Sequence, residues 1–334
     1  MDISYLLWLQ DLRDSIGTSL IPFMHGVSQF ASKPLLLFPI FIYWCVNKRK
    51  GLFIISSMCL TNMVNALIKL TACVYRPWIK DPRIVPAGNA IKHATGYSFP
   101  SGHTAQGVAL YGGMAIGFWG KSSTKWISVL CVIGILLTGF SRNFLGVHTP
   151  QDVLVGLLLG VSILWLTQKI FNYLEKHPEK ENYFLLGGLI FCVLSLVYIN
   201  VKSYPMDYVD GKLIVDPKQM VLDAYSHIGV FAGFCVARYI EKRWIRFCPA
   251  GWTIKSIILG IVGIVVLGVM MWCLQEFVIS LLGAHWGRFA VRTFIVIFVV
   301  ALWPWVLKLA SPLDFAREKN YTNVETVLKR AGAK

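Results

Sequence analysis

The feature that most constrains this chain is a succession of apolar stretches, most of them about twenty residues long, separated by short segments that carry the charge. A helix of that length crosses the hydrocarbon core of a bilayer. Lipid accepts crossing segments only when their backbone groups are bonded internally, as in helices. The stretches fall near 22–47, 52–73, 103–120, 126–145, 151–170, 183–200, 222–240, 254–275 and 289–309. The first is interrupted by Ser28, Ser32 and Pro34 and stops at the run Asn47-Lys48-Arg49-Lys50. The pattern predicts an all-α fold, a polytopic transmembrane helical bundle of about nine spans. Only 15% of the residues are charged, against about 25% in average soluble domains. Residues 1–14 alternate apolar and charged side chains at helical spacing, as in a helix lying at the interface. Their acidic, interrupted character does not fit a cleavable signal.

The net charge of +15 is dispersed among the apolar stretches rather than massed on one segment. In polytopic proteins Lys and Arg collect in the loops left in the cytoplasm, so the charge reads as topology and no nucleic-acid partner is expected. One set of loops carries Lys48, Arg49 and Lys50; Lys121 and Lys125; Lys169, Lys176 and Lys180; and Arg238, Lys242, Arg243, Arg246 and Lys255. The C-terminal tail adds Lys308, Arg317, Lys319, Lys329, Arg330 and Lys334 on the same side. The Pro- and Gly-rich loop 76–100 is then expected to face away from the cytoplasm. With an odd number of spans the N-terminus lies outside, and Asn320-Tyr321-Thr322 lies inside, where it is not glycosylated. The eight cysteines show no CxxC pair and mostly sit in apolar runs, which suits small core residues better than disulfides or metal ligands. Gly113-x3-Gly117 and Gly156-x3-Gly160 suit close helix packing.

Three polar segments stand out against this background. Lys69-LTACVY-Arg76-Pro77 ends the second apolar stretch, and Ser98-Phe99-Pro100-Ser101-Gly102-His103 opens the third. Ser141-Arg142-NFLGV-His148-TPQ-Asp152 joins the fourth to the fifth. Alternating passes bring all three to one membrane face, and ionisable groups at such positions are costly unless they do something. Lys69 and Arg76 are two turns apart if their helix continues that far, and His148 and Asp152 are one turn apart. A phosphate dianion needs several fixed cations and donors. Lys69, Arg76 and Arg142 supply three charges, Ser101 a hydroxyl, and the Gly102 amide an anion site at a helix start. Hydrolysis also needs a nucleophile and an acid. His148, oriented by Asp152, suits the first role, which leaves His103 to protonate the leaving oxygen. No cluster with metal-ligand spacing lies nearby, so a metal-free reaction without cofactor is expected.

The pattern K-x6-RP, then PSGH, then SR-x5-H-x3-D resembles the type 2 phosphatidic acid phosphatase superfamily. That superfamily includes lipid phosphate phosphatases, glucose-6-phosphatase and the soluble vanadium haloperoxidases. Every signature position is present, in order and at the expected spacing. The resemblance implies a six-helix catalytic core, here residues 22–204, and a phosphohistidine intermediate at His148. It implies phosphate binding by Lys69, Arg76, Ser101, Gly102 and Arg142, acid catalysis by His103, and orientation of His148 by Asp152. The core is then flanked by an interfacial segment, 1–21, by additional transmembrane helices of unassigned role, 205–311, and by a cytoplasmic tail, 312–334.

A site at the surface of an apolar bundle suits a substrate presented from the bilayer. The expected activity is hydrolysis of a lipid phosphomonoester or pyrophosphate, with phosphatidate, phosphatidylglycerophosphate, a polyprenyl pyrophosphate or a sphingoid phosphate as candidates. Alternatives are a phosphatase for a soluble sugar phosphate, a phosphotransferase, and a transport or lipid-binding protein. The intact His103, His148 and Asp152 speak against the last, because binding alone needs neither nucleophile nor acid. A bacterial plasma membrane, with the site facing outward, is the expected location. Lys80, Arg83, Lys92 and His93 in the loop above the site suit either a head group or plain solvation. Trp78 and Tyr97 suit its entrance. Asp207, Asp210 and Asp216 read as solvent-facing, and Glu276 and His285 have no assigned role.

Overall fold

The computed structural model describes residues 2–17, 19–32, 37–94, 96–119 and 124–310. Lys121 and the tail charges Arg317, Lys319, Lys329, Arg330 and Lys334, with the Asn320-Tyr321-Thr322 sequon, lie outside the described residues, as does the side chain of His93. Almost all of the described chain is helical, with one small hairpin, Tyr208–Val209 against Lys212–Leu213.

The first helix, α1 (Asp2–Ile16), buries Leu6, Leu9 and Arg13. The stretch expected at 22–47 is two pieces, α2 (Leu20–Ser32) and α3 (Leu37–Val46), the latter ending in a π turn; residues 33–36 between them are not described. Helix α4 (Lys48–Ala72) starts where Asn47 accepts a hydrogen bond from the Lys50 amide and ends at Cys73, which adopts a left-handed conformation. After the loop comes α5, residues 102–119, with a π turn at Val108–Gly112. Two longer helices follow, α6 (Lys125–Phe144) and α7 (Pro150–Lys176). Thr149 caps α7 and Pro150 opens it, a residue whose missing N–H costs nothing there. Helix α8 (Glu181–Val201) leads through the hairpin to α9 (Pro217–Ile240), capped by Asp216 and prolonged by a π turn to Ile245.

The last two apolar stretches are joined without a loop. Helical bonding runs from Ile254 to Ile297, but Gly283 sits at φ 74°, ψ 169°, and the chain doubles back there into α10 (residues 254–282) and α11 (residues 284–310). The reversal shows in the packing: Gly287 lies against Ile279, and Gly263 against Trp303. Among the described residues, six helical runs are long and apolar enough to cross a membrane, and the last of them, Ile254–Ala310, is this folded pair. The chain is thus an all-α polytopic bundle.

Its core has three parts, the smallest of which packs Met24 of α2 against Ala87, Ala90 and Phe144. Ile54, Met58 and Leu110 fill the space between α4 and α5. Met63, Ala224, Ile228 and Val300 lie among α4, α9 and α11. The basic loops gather at one end, where Arg49 meets Glu175 at 2.8 Å and Lys48 meets the fully buried Glu241 at 2.6 Å. The three polar segments lie at the other. Cys45, Cys59, Cys131, Cys192 and Cys235 are buried thiols.

Candidate active site

Each polar segment is held by backbone bonds to another. The Ser98 amide donates to Val74 O (2.7 Å), the Ser101 amide to Asp152 O (2.9 Å) and the Ala87 amide to Leu145 O (3.0 Å). Close helix approach makes this possible. A Cβ on Gly156 would stand 2.7 Å from the Ser101 carbonyl, and one on Gly160 2.9 Å from that of Ala105. The second of the two glycine pairs therefore locks α7 onto the first turn of α5.

The helix through Lys69 does not continue to Arg76. It ends at Ala72, and Arg76 reaches inward from an extended segment. Lys69 Nζ donates to the carbonyls of Tyr97 (3.1 Å) and Ser98 (3.0 Å). Arg76 donates through Nε to Gly96 O and through Nη1 to Val147 O, both at 3.0 Å. Nη1 also lies 2.9 Å from His148 Nε2. A guanidinium has no acceptor. Nε2 is therefore the accepting nitrogen, and the proton of the neutral ring sits on Nδ1.

That proton faces Asp152 and Ser98. Asp152 Oδ2 and Ser98 Oγ are each 3.4 Å from His148 Nδ1, while the Ser98 hydroxyl donates to Asp152 Oδ2 at 2.5 Å. His148 precedes the cap of α7, so its spacing to Asp152 is not a helical turn. The carboxylate instead reaches back to accept the Thr149 amide at 2.8 Å while the Thr149 hydroxyl accepts the Asp152 amide at 3.2 Å. Asn143 Nδ2 fixes the His148 carbonyl at 2.9 Å. Burial first, then the positive field of Arg76, Arg142, Lys69 and His103, holds the His148 pKa well below its ordinary value. The ring is a neutral imidazole with its lone pair on Nε2, aimed at the cations.

Arg142 is buried in α6. Its Nη1 donates to Ser28 Oγ at 2.6 Å, but Nε and Nη2, which form one edge of the guanidinium, are buried without a hydrogen-bond partner among the described residues. Unmatched buried donors are costly. Two on one guanidinium edge match the two oxygens of a phosphoryl group. Ser101 is fully buried at the start of α5, where its hydroxyl accepts from Thr104 at 2.8 Å. The Cα of Gly102 faces α4: a Cβ there would approach Asn65 Oδ1 at 3.1 Å and Lys69 Cε at 3.9 Å. His103 is half-buried one residue further on, within electrostatic reach of His148.

The structure thus brings together all eight residues singled out in the sequence. Reading the sequence missed Ser98, Asn143, Thr149, Asn65 and Ser28. Thr149-x-x-Asp152 carried the usual cap signature, but Ser98 and Asn65 act through tertiary contacts that no spacing announces. Trp78 lies under the Arg76 guanidinium at 5.9 Å, and Arg83 is tied to Asp81 at 2.7 Å. Among the described residues, no three His, Cys, Asp or Glu side chains gather as a metal site would require.

Comparison with known proteins places the chain in a family. A model of the PAP2 superfamily matches residues 50–176, and one of the PAP2 superfamily phosphatase transmembrane extension matches 225–312, together more than half of the chain. The chain belongs to the PAP2 superfamily. It is similar to phosphatidylglycerophosphatase B of Bacillus subtilis, 29% identical over 113 residues that cover 32% of this chain and 54% of the relative. The enzyme of the same name in Escherichia coli is 37% identical over 93 residues, 26% of this chain and 35% of the relative. Undecaprenyl-diphosphatase BcrC of B. subtilis is 29% identical over 168 residues, 45% of this chain and 82% of the relative. The chain spans about half, or less, of the length of the two phosphatidylglycerophosphatases. No solved structure matches it.

Proposed function

We propose that this protein is a membrane phosphohydrolase that releases phosphate from a lipid phosphomonoester or pyrophosphate through a phosphohistidine at His148. The observation that carries this reading is the unmatched donor edge of Arg142 beside a neutral His148 whose Nε2 faces the Arg76 guanidinium.

In the proposed reaction Lys69, Arg76 and Arg142 neutralise the phosphoryl oxygens, with the Ser101 hydroxyl and the Gly102 amide as further donors. His148 Nε2 attacks phosphorus and a P–N bond forms as the bond to the lipid oxygen breaks. His103 gives its proton to that oxygen. Asp152 and Ser98 hold the Nδ1 proton, which stabilises the charge on the phosphorylated ring. Water then attacks phosphorus, His103 takes its proton, the P–N bond breaks and phosphate leaves. The names of the relatives, which specify phosphatidylglycerophosphate and undecaprenyl diphosphate, support a lipid substrate. The clustering of basic loops at the far end supports a site facing away from the cytoplasm.

The test is phosphate release by the purified protein from a panel of lipid and sugar phosphates, beside His148→Ala. Release from lipids in the native protein, none in the variant, and inhibition by vanadate are expected. Full activity in His148→Ala would sink the mechanism, and release from sugar phosphates alone would sink the lipid assignment.

A further inference from the structure

Beside the site, between the catalytic helices and the extension, lies a cavity of about 510 Å³ whose wall is polar although helices expected to cross the membrane build it. The extension contributes Asp223, His227, Gln275, Arg288 and Arg292. Facing them are Asn62 of α4 and Gln106 of α5. Polar and charged side chains at such depth are expensive and mark ligand or ion pathways. Structural pairing accounts for two of them: Arg288 bonds Asp223 at 3.1 Å. Arg292, one turn further along α11, makes no hydrogen bond or ion pair among the described residues, and neither does His227.

The cavity lies next to the candidate active site, a turn or more deeper along the same helices, and none of the eight site residues lines it. Gln106 follows His103 by three residues, so it lies one turn deeper, about 4.5 Å along α5. Asn62 precedes Lys69 by seven residues on α4, about 10 Å deeper. Lys69 is among the charges that act on His227. Arg288 and Asp223 keep 34% and 42% of their side-chain surface exposed, so the cavity opens to the outside of the bundle. A lipid entering from the bilayer with its terminal phosphate at His148 would lay the next part of its head group in this cavity, nearer the membrane interior.

We propose that the cavity is a second anion subsite for a phosphodiester set a few bonds from the scissile phosphate. The preferred substrate is then a lipid whose terminal phosphomonoester is joined through a short polyol to a phosphodiester. This deepens the proposed function and rests on it. With Asp223 set against Arg288, the excess charge is that of Arg292, one positive charge for the single negative charge of a diester. A diphosphate does not fit this division. Its two phosphorus atoms share one oxygen, so the second phosphate stays among Lys69, Arg76 and Arg142 and does not reach a turn deeper. Phosphatidate has only its scissile phosphate and leaves the subsite empty.

The experiment measures kcat/KM of the purified full chain in mixed micelles on phosphatidylglycerophosphate, phosphatidate and a polyprenyl diphosphate. The native protein, Arg292→Gln and Arg292→Lys are compared. For Arg292→Gln, kcat/KM on phosphatidylglycerophosphate should fall roughly ten- to hundredfold relative to the other two lipids, the worth of a hydrogen bond to a charged group. Arg292→Lys should restore part of that preference. An unchanged ratio among the three lipids overturns the proposal. So does an equal fall on all three, which would make Arg292 part of the scaffold. If the native protein releases phosphate from none of them, it is the phosphatase reading that fails, and the subsite reading falls with it.

Discussion

The Asp152 carboxylate does three things at once: it caps α7, accepts the Ser98 hydroxyl and faces the ring proton of His148. Removing the Ser98 hydroxyl leaves the helix cap intact but frees the carboxylate and ring to rotate. We expect Ser98→Ala to lower kcat about tenfold with KM little changed, as the loss of one hydrogen bond to a charged group implies, measured on micellar phosphatidate. Acid sensitivity follows from His148. Its folded pKa lies below the 6.5 of an ordinary histidine. The unfolded chain therefore takes up a proton that the fold refuses. The associated stability is fully present above pH 6.5 and is lost as pH falls from there toward the folded value. The acid limb of kcat/KM should accordingly lie below pH 6.5, with the melting temperature declining over the same range. A limb at or above 6.5 would contradict the buried, cation-flanked imidazole. Six of the eight proposed site residues were legible because ionisable groups are so rare in apolar sequence that their spacing was informative, and Ser101 and Gly102 followed from the motif around His103. Ser98 and Asn65 were not, since a serine or asparagine near a helix end has many ordinary uses.

At the scale of elements, the site depends on how closely α7 can approach α5. Gly156 permits the contact that lets the Ser101 amide reach the Asp152 carbonyl. In Gly156→Val the added branches meet backbone rather than a movable side chain. We expect a cost of about 1–3 kcal/mol, typical of overpacking, and a loss of activity larger than the loss of stability. Melting in detergent and phosphate release on the same preparation separate the two. Helix positions were readable from the sequence because twenty-residue apolar runs have few alternatives. The exit of α4 was not: a continuous Lys69–Arg76 helix would have satisfied the spacing equally well, and the left-handed Cys73 decides otherwise. A reversal between the last two apolar stretches was expected from their separation; its place at Gly283, without a loop, was not, because its mark is one glycine among many.

Across the whole molecule the two ends differ in kind. The site end holds an unmatched guanidinium edge, whereas at the basic end Lys48, Arg49, Arg238 and Lys242 are each held by a glutamate. Glu241 receives Lys48 at 2.6 Å, Arg238 at 2.5 Å and the Phe247 amide at 2.8 Å, and Arg238 also meets Glu181 at 2.7 Å. This network ties α4, α8 and α9 together some distance from the chemistry. Glu241→Ala leaves two cations facing a hole, and breaking a buried pair from one side costs about 3–5 kcal/mol. We expect a marked fall in melting temperature, with the surviving folded fraction keeping native kcat. A fall in kcat at unchanged stability would instead tie this end to the reaction.

Gly283 carries one more implication. Its backbone angles belong to a region that only glycine enters readily. Without that bend the run Ile254–Ile297 would be a single rod of about 66 Å, more than twice the thickness of a bilayer's apolar layer. One residue without a side chain therefore turns a rod too long for the layer into two antiparallel helices that each fit it.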